Sequence, residues 1–231
     1  SGVEVDCTFK DRNFHVLGYG IDEQNPVFQK IEDNISVQSE EASVKMLEAT
    51  RKLGFDVSES DMEKLTETMF WKNRWTGEMF AEVLLNKPEY RDHDLLLPYR
   101  PGGERSSNPY VNFYWDYYSQ GKPCHVDITF PAMKEVISQI HESGGKAVLA
   151  HPGQNLRDHM ELWEEIAVSG IDGVEAFSSY HTPEQALFFS HEAGEKQLFI
   201  TCGSDFHGKT KPSISIRQHG YSGSWEELLK Q

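Results

Sequence analysis

Ligand-type side chains fall directly after short apolar runs in this sequence. His151 follows Ala147-Val148-Leu149-Ala150 and precedes Pro152-Gly153. His181 lies just past Gly173-Val174-Glu175-Ala176-Phe177. Asp205 and His207 follow Leu198-Phe199-Ile200-Thr201-Cys202, inside Gly203-Ser204-Asp205-Phe206-His207-Gly208. Glu4 and His15 sit on two further strand-like stretches near the start. Imidazoles and carboxylates on one rim suit Zn²⁺, Mn²⁺ or Fe²⁺. A carboxylate such as Glu4 can bridge two ions, and paired ions hold both an attacking water and phosphoryl oxygens. The cysteines are too scattered for a thiolate site. Ser178, Ser179 and Cys202 lack a nucleophile-elbow pattern. No glycine-rich phosphate loop of the Walker or dinucleotide type is present. His93, His125, His141, His159, His191 and His219 read as surface or packing residues.

These residues share a rim only if particular elements carry them. Gly2 to Asp6 alternates as a strand, and Phe14-His15-Val16-Leu17 is a second, with Lys10-Asp11-Arg12-Asn13 as the turn between them. From residue 126 on, apolar runs alternate with helical patterns. Met133, Val136, Ile137 and Ile140 form a helix stripe closed by Gly144-Gly145. A helix is expected from about Arg157 to Val168. Thr182-Pro183-Glu184-Gln185 is a helix start with a capping box and Pro at the first position. Strands alternating with helices predict βαβ units and a parallel sheet, whose strand ends converge on one face.

The span between is different in kind. Ala42, Met46, Ala49 and Leu53 lie at helical spacing before Gly54. Ser58 with Asp61 reads as a capping box, and Trp75 to Leu85 as a further helix. The aromatics Tyr110, Phe113, Tyr114, Trp115, Tyr117 and Tyr118 are expected to pack against the parent domain. The expected organisation is a barrel portion at 1–22 and 126–231, with a mostly helical insertion over 23–125.

Composition bounds the partners. The chain has 231 residues, 38% hydrophobic, with 22 Lys plus Arg against 37 Asp plus Glu, a net charge of -15. Such a surface repels duplex nucleic acid and anionic membranes, and no apolar run reaches the roughly 18 residues of a membrane span. Three widely spaced cysteines, Cys7, Cys124 and Cys202, argue against a disulfide framework and for the cytoplasm.

Phe14-His15-Val16-Leu17-Gly18-Tyr19-Gly20-Ile21-Asp22, the Ala147 to Gly153 run and the Gly203 to Gly208 run, in this order, resemble the PHP (polymerase and histidinol phosphatase) superfamily. Gly2-Val3-Glu4 also matches, and the helical insert is similar to the nucleotide-acting branch. The resemblance implies an α/β fold, here an incomplete distorted (β/α)7 barrel, and up to three divalent ions (Mn, Zn or Fe). It carries the metal-ligand role to Glu4, His15, His151, Asp205 and His207, and catalysis to Asp205 and His207. It implies substrate-phosphate contacts by Arg74, His181 and Lys209, with Lys211 a further candidate. The implied reaction is hydrolysis of phosphate esters of small nucleotides or short oligonucleotides by metal-activated water. Two alternatives stay open: a histidinol-phosphate or sugar-phosphate phosphatase, and an inactive binding or regulatory domain. The second arises because the family's His-x-His and Thr-Asp-His strands are absent from this sequence. A longer polypeptide is the expected reason, with a native variant that has lost the front of the barrel as the alternative; a pair-forming protein in which another chain supplies the missing strands is the third.

Overall fold

Alternating side chains make the first two strands, because one face must be buried and the other is ionic. In the computed structural model, which describes residues 1–223, β1 (Gly2–Phe9) and β2 (Arg12–Tyr19) form an antiparallel hairpin. Val5, Cys7, Phe14 and Val16 are buried on one face. The register sets Asp6 opposite His15 and Glu4 opposite Leu17 on the other. The turn is tighter than the expected four residues. Lys10 takes a left-handed conformation with φ 53°, so the chain reverses in two residues and Arg12 and Asn13 join β2.

The chain then runs through α1 (Pro26–Lys52), α2 (Glu59–Thr66), α3 (Gly77–Asn86) and α4 (Pro109–Tyr117). Gly54, at φ 98°, follows α1 where its lack of a Cβ is needed. The Ser58–Asp61 capping box starts α2 as expected. Residues 32–129 and 207–213 form one compact unit. Its core includes Leu47, Phe55, Phe80, Leu84, Phe113 and Tyr118. The expectation that the aromatic cluster serves the parent domain is corrected for Phe113 and Tyr118. They fill the insert's own core, where the Tyr118 ring stacks on Phe80 at 5.6 Å. A helical segment of this length needs an apolar interior of its own, and its aromatics supply the largest buried surfaces.

The other unit comprises residues 1–31, 130–206 and the described residues from 214 on. After α5 (Met133–Glu142), strand β3 (Lys146–Leu149) pairs antiparallel with β2. The expected helix over 157–168 is replaced by α6 (Pro152–Leu156), a single 3-10 turn at Met160–Leu162, and α7 (Trp163–Ala167). The break is at Arg157, whose φ of 42° cannot continue a right-handed helix. Strands β4 (Gly173–Ser178) and β5 (Phe199–Gly203) continue the sheet in parallel, joined by α8 (Pro183–Lys196) with its Thr182–Gln185 capping box. The sheet order is β1-β2-β3-β4-β5, a mixed α/β arrangement. Phe14, Ile140, Leu149, Trp163 and Phe189 lie in its core.

Candidate metal centre

The hairpin register builds the first part of the site. Side chains two apart on β1, Glu4 and Asp6, flank the His15 ring contributed by β2. His15 Nδ1 lies 2.8 Å from Glu4 Oε1, and His15 Nε2 lies 2.9 Å from Asp6 Oδ1. Burial alone would raise the Glu4 carboxyl, but contact with the His15 and His151 rings and their charge outweigh it, holding it well below the usual carboxylate range. Burial alone would lower His15, yet its bonds to Asp6 and Glu4 win and push it up to about 10.

The turn after β3 adds His151. This residue has φ 27°, and Pro152 at the first position of α6 redirects the chain immediately. The ring of His151 meets that of His15 edge-on, with centroids 4.9 Å apart. Its Nε2 lies 3.5 Å from Glu4 Oε1, is buried, and makes no hydrogen bond. Its Nδ1 lies 2.7 Å from Asn155 Oδ1. One ligand atom each from Glu4, His15 and His151 falls within 4.8 Å of the others. A buried imidazole nitrogen without a partner, beside a carboxylate and a second imidazole, is a donor set that fits a divalent cation.

Sequence reasoning missed Glu175. This β4 carboxylate is buried, and its Oε2 accepts the His151 backbone N–H at 2.9 Å. Burial first, then the charges of Glu4 and Asp205, push it up to about 7 against the pull of His151. Asp6 and Asn155 were missed as well. A carboxylate at period two from Glu4 was the available signal for Asp6, and one-turn spacing from His151 for Asn155; nothing local marks Glu175.

The remaining expected residues are placed as follows. Asp205, at φ 51°, accepts the Tyr180 hydroxyl through Oδ2 at 2.7 Å. His181 lies beside the 151–153 turn with both nitrogens used by backbone: Nε2 accepts Gly153 N–H at 2.9 Å, and Nδ1 donates to Ala176 O at 2.8 Å. In the helical unit, Lys209 pairs with Glu82 at 2.7 Å. There too, Lys211 and His207 lie near Glu78, whose carboxyl burial raises. Arg74 stacks over Trp71 at 4.9 Å and reaches Glu32 only at 3.9 Å, while its Nε is buried without a hydrogen-bond partner. Among the described residues, no helix is long and apolar enough to cross a membrane.

No family model matches the chain. It is 26% identical over 215 residues to a phosphoribosyl 1,2-cyclic phosphate 1,2-diphosphodiesterase of Eggerthella lenta, covering 90% of this chain and 72% of that protein. It is 23% identical over 219 residues to a 3′,5′-nucleoside bisphosphate phosphatase of Chromobacterium violaceum, covering 90% and 67%. A crystal structure of a protein from Bifidobacterium adolescentis superposes with a TM-score of 0.74 at 21% identity, over 99% of this chain and 73% of that one, and shows the same fold. Motif order, these curated relatives and the fold all agree with the resemblance to the PHP-type phosphoesterases.

Proposed function

We propose that this protein is a metal-dependent phosphoesterase acting on small nucleotides or short oligonucleotides. The observation that carries this reading is the convergence of Glu4 Oε1, His15 Nδ1 and His151 Nε2, the last buried and unpartnered. These three residues would hold a divalent ion. Such an ion supplies Lewis-acid polarisation of a phosphoryl oxygen and activation of a water molecule. Asp205 extends the acidic wall and, with His207, is proposed for catalysis; the imidazole of His207 suits protonation of the leaving oxygen. Arg74 is the proposed phosphate ligand. Its guanidinium is held by Trp71 and Glu32 but keeps an unused buried donor, and a planar fork suits phosphate oxygens. Lys209 is a lesser candidate, since Glu82 already neutralises it. The five-stranded sheet is proposed as part of a distorted (β/α)7 barrel, with the helical unit as its insertion. The free Cys7, Cys124 and Cys202 fit a reducing cytoplasm.

The substrate class is supported by the relatives that act on a cyclic ribose phosphate and on nucleoside bisphosphates. The test is phosphate release from nucleoside 3′,5′-bisphosphate, a short oligoribonucleotide and histidinol phosphate, with Mn²⁺ or Zn²⁺ added. Release from the nucleotides is expected, lost with chelator and in Glu4→Ala and His151→Ala. Turnover of histidinol phosphate alone would move the protein to another substrate class. No metal binding and no turnover would make it a binding domain.

A further inference from the structure

We propose that Asp6 and Asn155 are positioning residues that decide which nitrogen of each imidazole faces the cation: Nδ1 of His15 and Nε2 of His151. This deepens the metal-centre reading and rests on it. The argument begins at Asn155. Its Nδ2 donates to the backbone carbonyl of Asn13 at 3.2 Å, which settles which end of the amide is oxygen. Oδ1 therefore faces His151 Nδ1 at 2.7 Å and can only accept, so Nδ1 carries the hydrogen. The lone pair of a neutral ring is then on Nε2, the atom that is buried, lacks a hydrogen-bond partner, and points to Glu4 Oε1 at 3.5 Å.

Asp6 does the same for His15 with the opposite polarity. Both nitrogens of His15 face carboxylate acceptors, Nδ1 at Glu4 Oε1 and Nε2 at Asp6 Oδ1; a cation held beside Glu4 takes the Nδ1 lone pair, and the 2.9 Å contact to Asp6 then keeps the hydrogen on Nε2. Nδ1 is left facing Glu4 Oε1 at 2.8 Å. Glu4 Oε1 is thus the common neighbour of one nitrogen from each ring. Asp6 stands outside this group: the three mutually close ligand atoms come from Glu4, His15 and His151. Both positioning contacts are products of local geometry. Asp6 is directly opposite His15 in the strand register, and Asn155 is four residues beyond His151, one turn into α6. Outer partners of this kind set ring orientation, and their loss weakens metal binding by about 10- to 100-fold.

The experiment uses the whole chain loaded with Zn²⁺. Long-range ¹⁵N–¹H spectra of the histidine rings should show His15 bound through Nδ1 with hydrogen on Nε2, and His151 the reverse. Zn²⁺ titration of Asp6→Ala should show affinity about 10- to 100-fold weaker, with Asp6→Asn, which keeps an acceptor oxygen, recovering most of it. Asn155→Ala and Asn155→Asp should behave as the same kind of pair. Melting of each metal-free variant guards against a folding defect. Ligation of His15 through Nε2 overturns the inference, as does equal and complete loss of binding in Asp6→Ala and Asp6→Asn, which would make Asp6 a ligand. Unchanged affinity in Asp6→Ala also overturns it. These outcomes leave the metal centre standing; no zinc binding by the unaltered chain overturns both.

Discussion

The carboxylate of Glu175 and the backbone of His151 are joined by a 2.9 Å hydrogen bond from His151 N–H to Glu175 Oε2, within the buried end of the sheet. A residue of β4 thereby holds the turn that carries His151 beyond β3. The geometry is close on its other side too. A Cβ built on Gly203 of β5 would lie 2.0 Å from Glu175 Oε1, so a side chain there would have to displace the carboxylate.

Glu175→Ala should therefore cost about 1–3 kcal/mol, the penalty of leaving a buried N–H unpaired. Gly203→Ala should also destabilise, by displacing the same carboxylate. In the double variant the clash is gone, so the combined loss should be smaller than the sum of the two, by more than about 0.5 kcal/mol. Urea unfolding of the four proteins, without metal, measures the coupling; strict additivity would count against the contact.

His181 bridges Gly153 N–H and Ala176 O, and a Cβ on Gly153 would come within 2.6 Å of its ring. His181→Ala should leave both backbone groups short of a partner and cost about 2 kcal/mol in thermal or urea unfolding. Were His181 chiefly a phosphate ligand, the variant would instead raise KM at unchanged stability.

At the opposite end of β4, Asp172 joins Lys146 at 2.7 Å, His141 at 2.6 Å and the Ala147 N–H at 2.9 Å. Burial acts to raise its carboxyl, but these partners prevail and hold it below the ordinary 3.8. A carboxylate depressed by folding stabilises above its unfolded value and loses that contribution as pH falls through the folded one. In unfolding midpoints followed downward from pH 5, the wild type should lose stability more steeply than Asp172→Asn. Parallel curves would show that the cluster contributes nothing.

The thiols should differ in reactivity. Burial raises Cys7 to about 12 and Cys124 to about 11, and both are buried, whereas Cys202 is half-buried and raised less. The thiolate is the reactive form. An aromatic disulfide reagent at pH 8 should label one cysteine per folded chain, identified by mass spectrometry as Cys202, and three after denaturation.

Much of this molecule is local chemistry, which is why it can be read along the chain. Ser58 with Asp61 and Thr182 with Gln185 satisfy orphan helix N–H groups within three residues, so both capping boxes are visible as spacing. Glu4, His15 and His151 are recognisable as ligand types at strand positions. Their meeting is another matter. It depends on the β1–β2 register, since a slip of one residue would turn Glu4 and Asp6 into the core and bring Val5 and Cys7 to the ionic face. The left-handed residues Arg157 and Asp205 carry no glycine to announce them, so the broken helix after β3 was not legible. Glu175 and the Nε2 of His181 act through contacts 24 and 28 residues away. Residue type and periodicity alone determined the strand–helix order and the chemistry of the ligands. Tertiary structure decided which ring nitrogen faces which carboxylate, because hydrogen-bond direction exists only once separate strands are held a few ångströms apart.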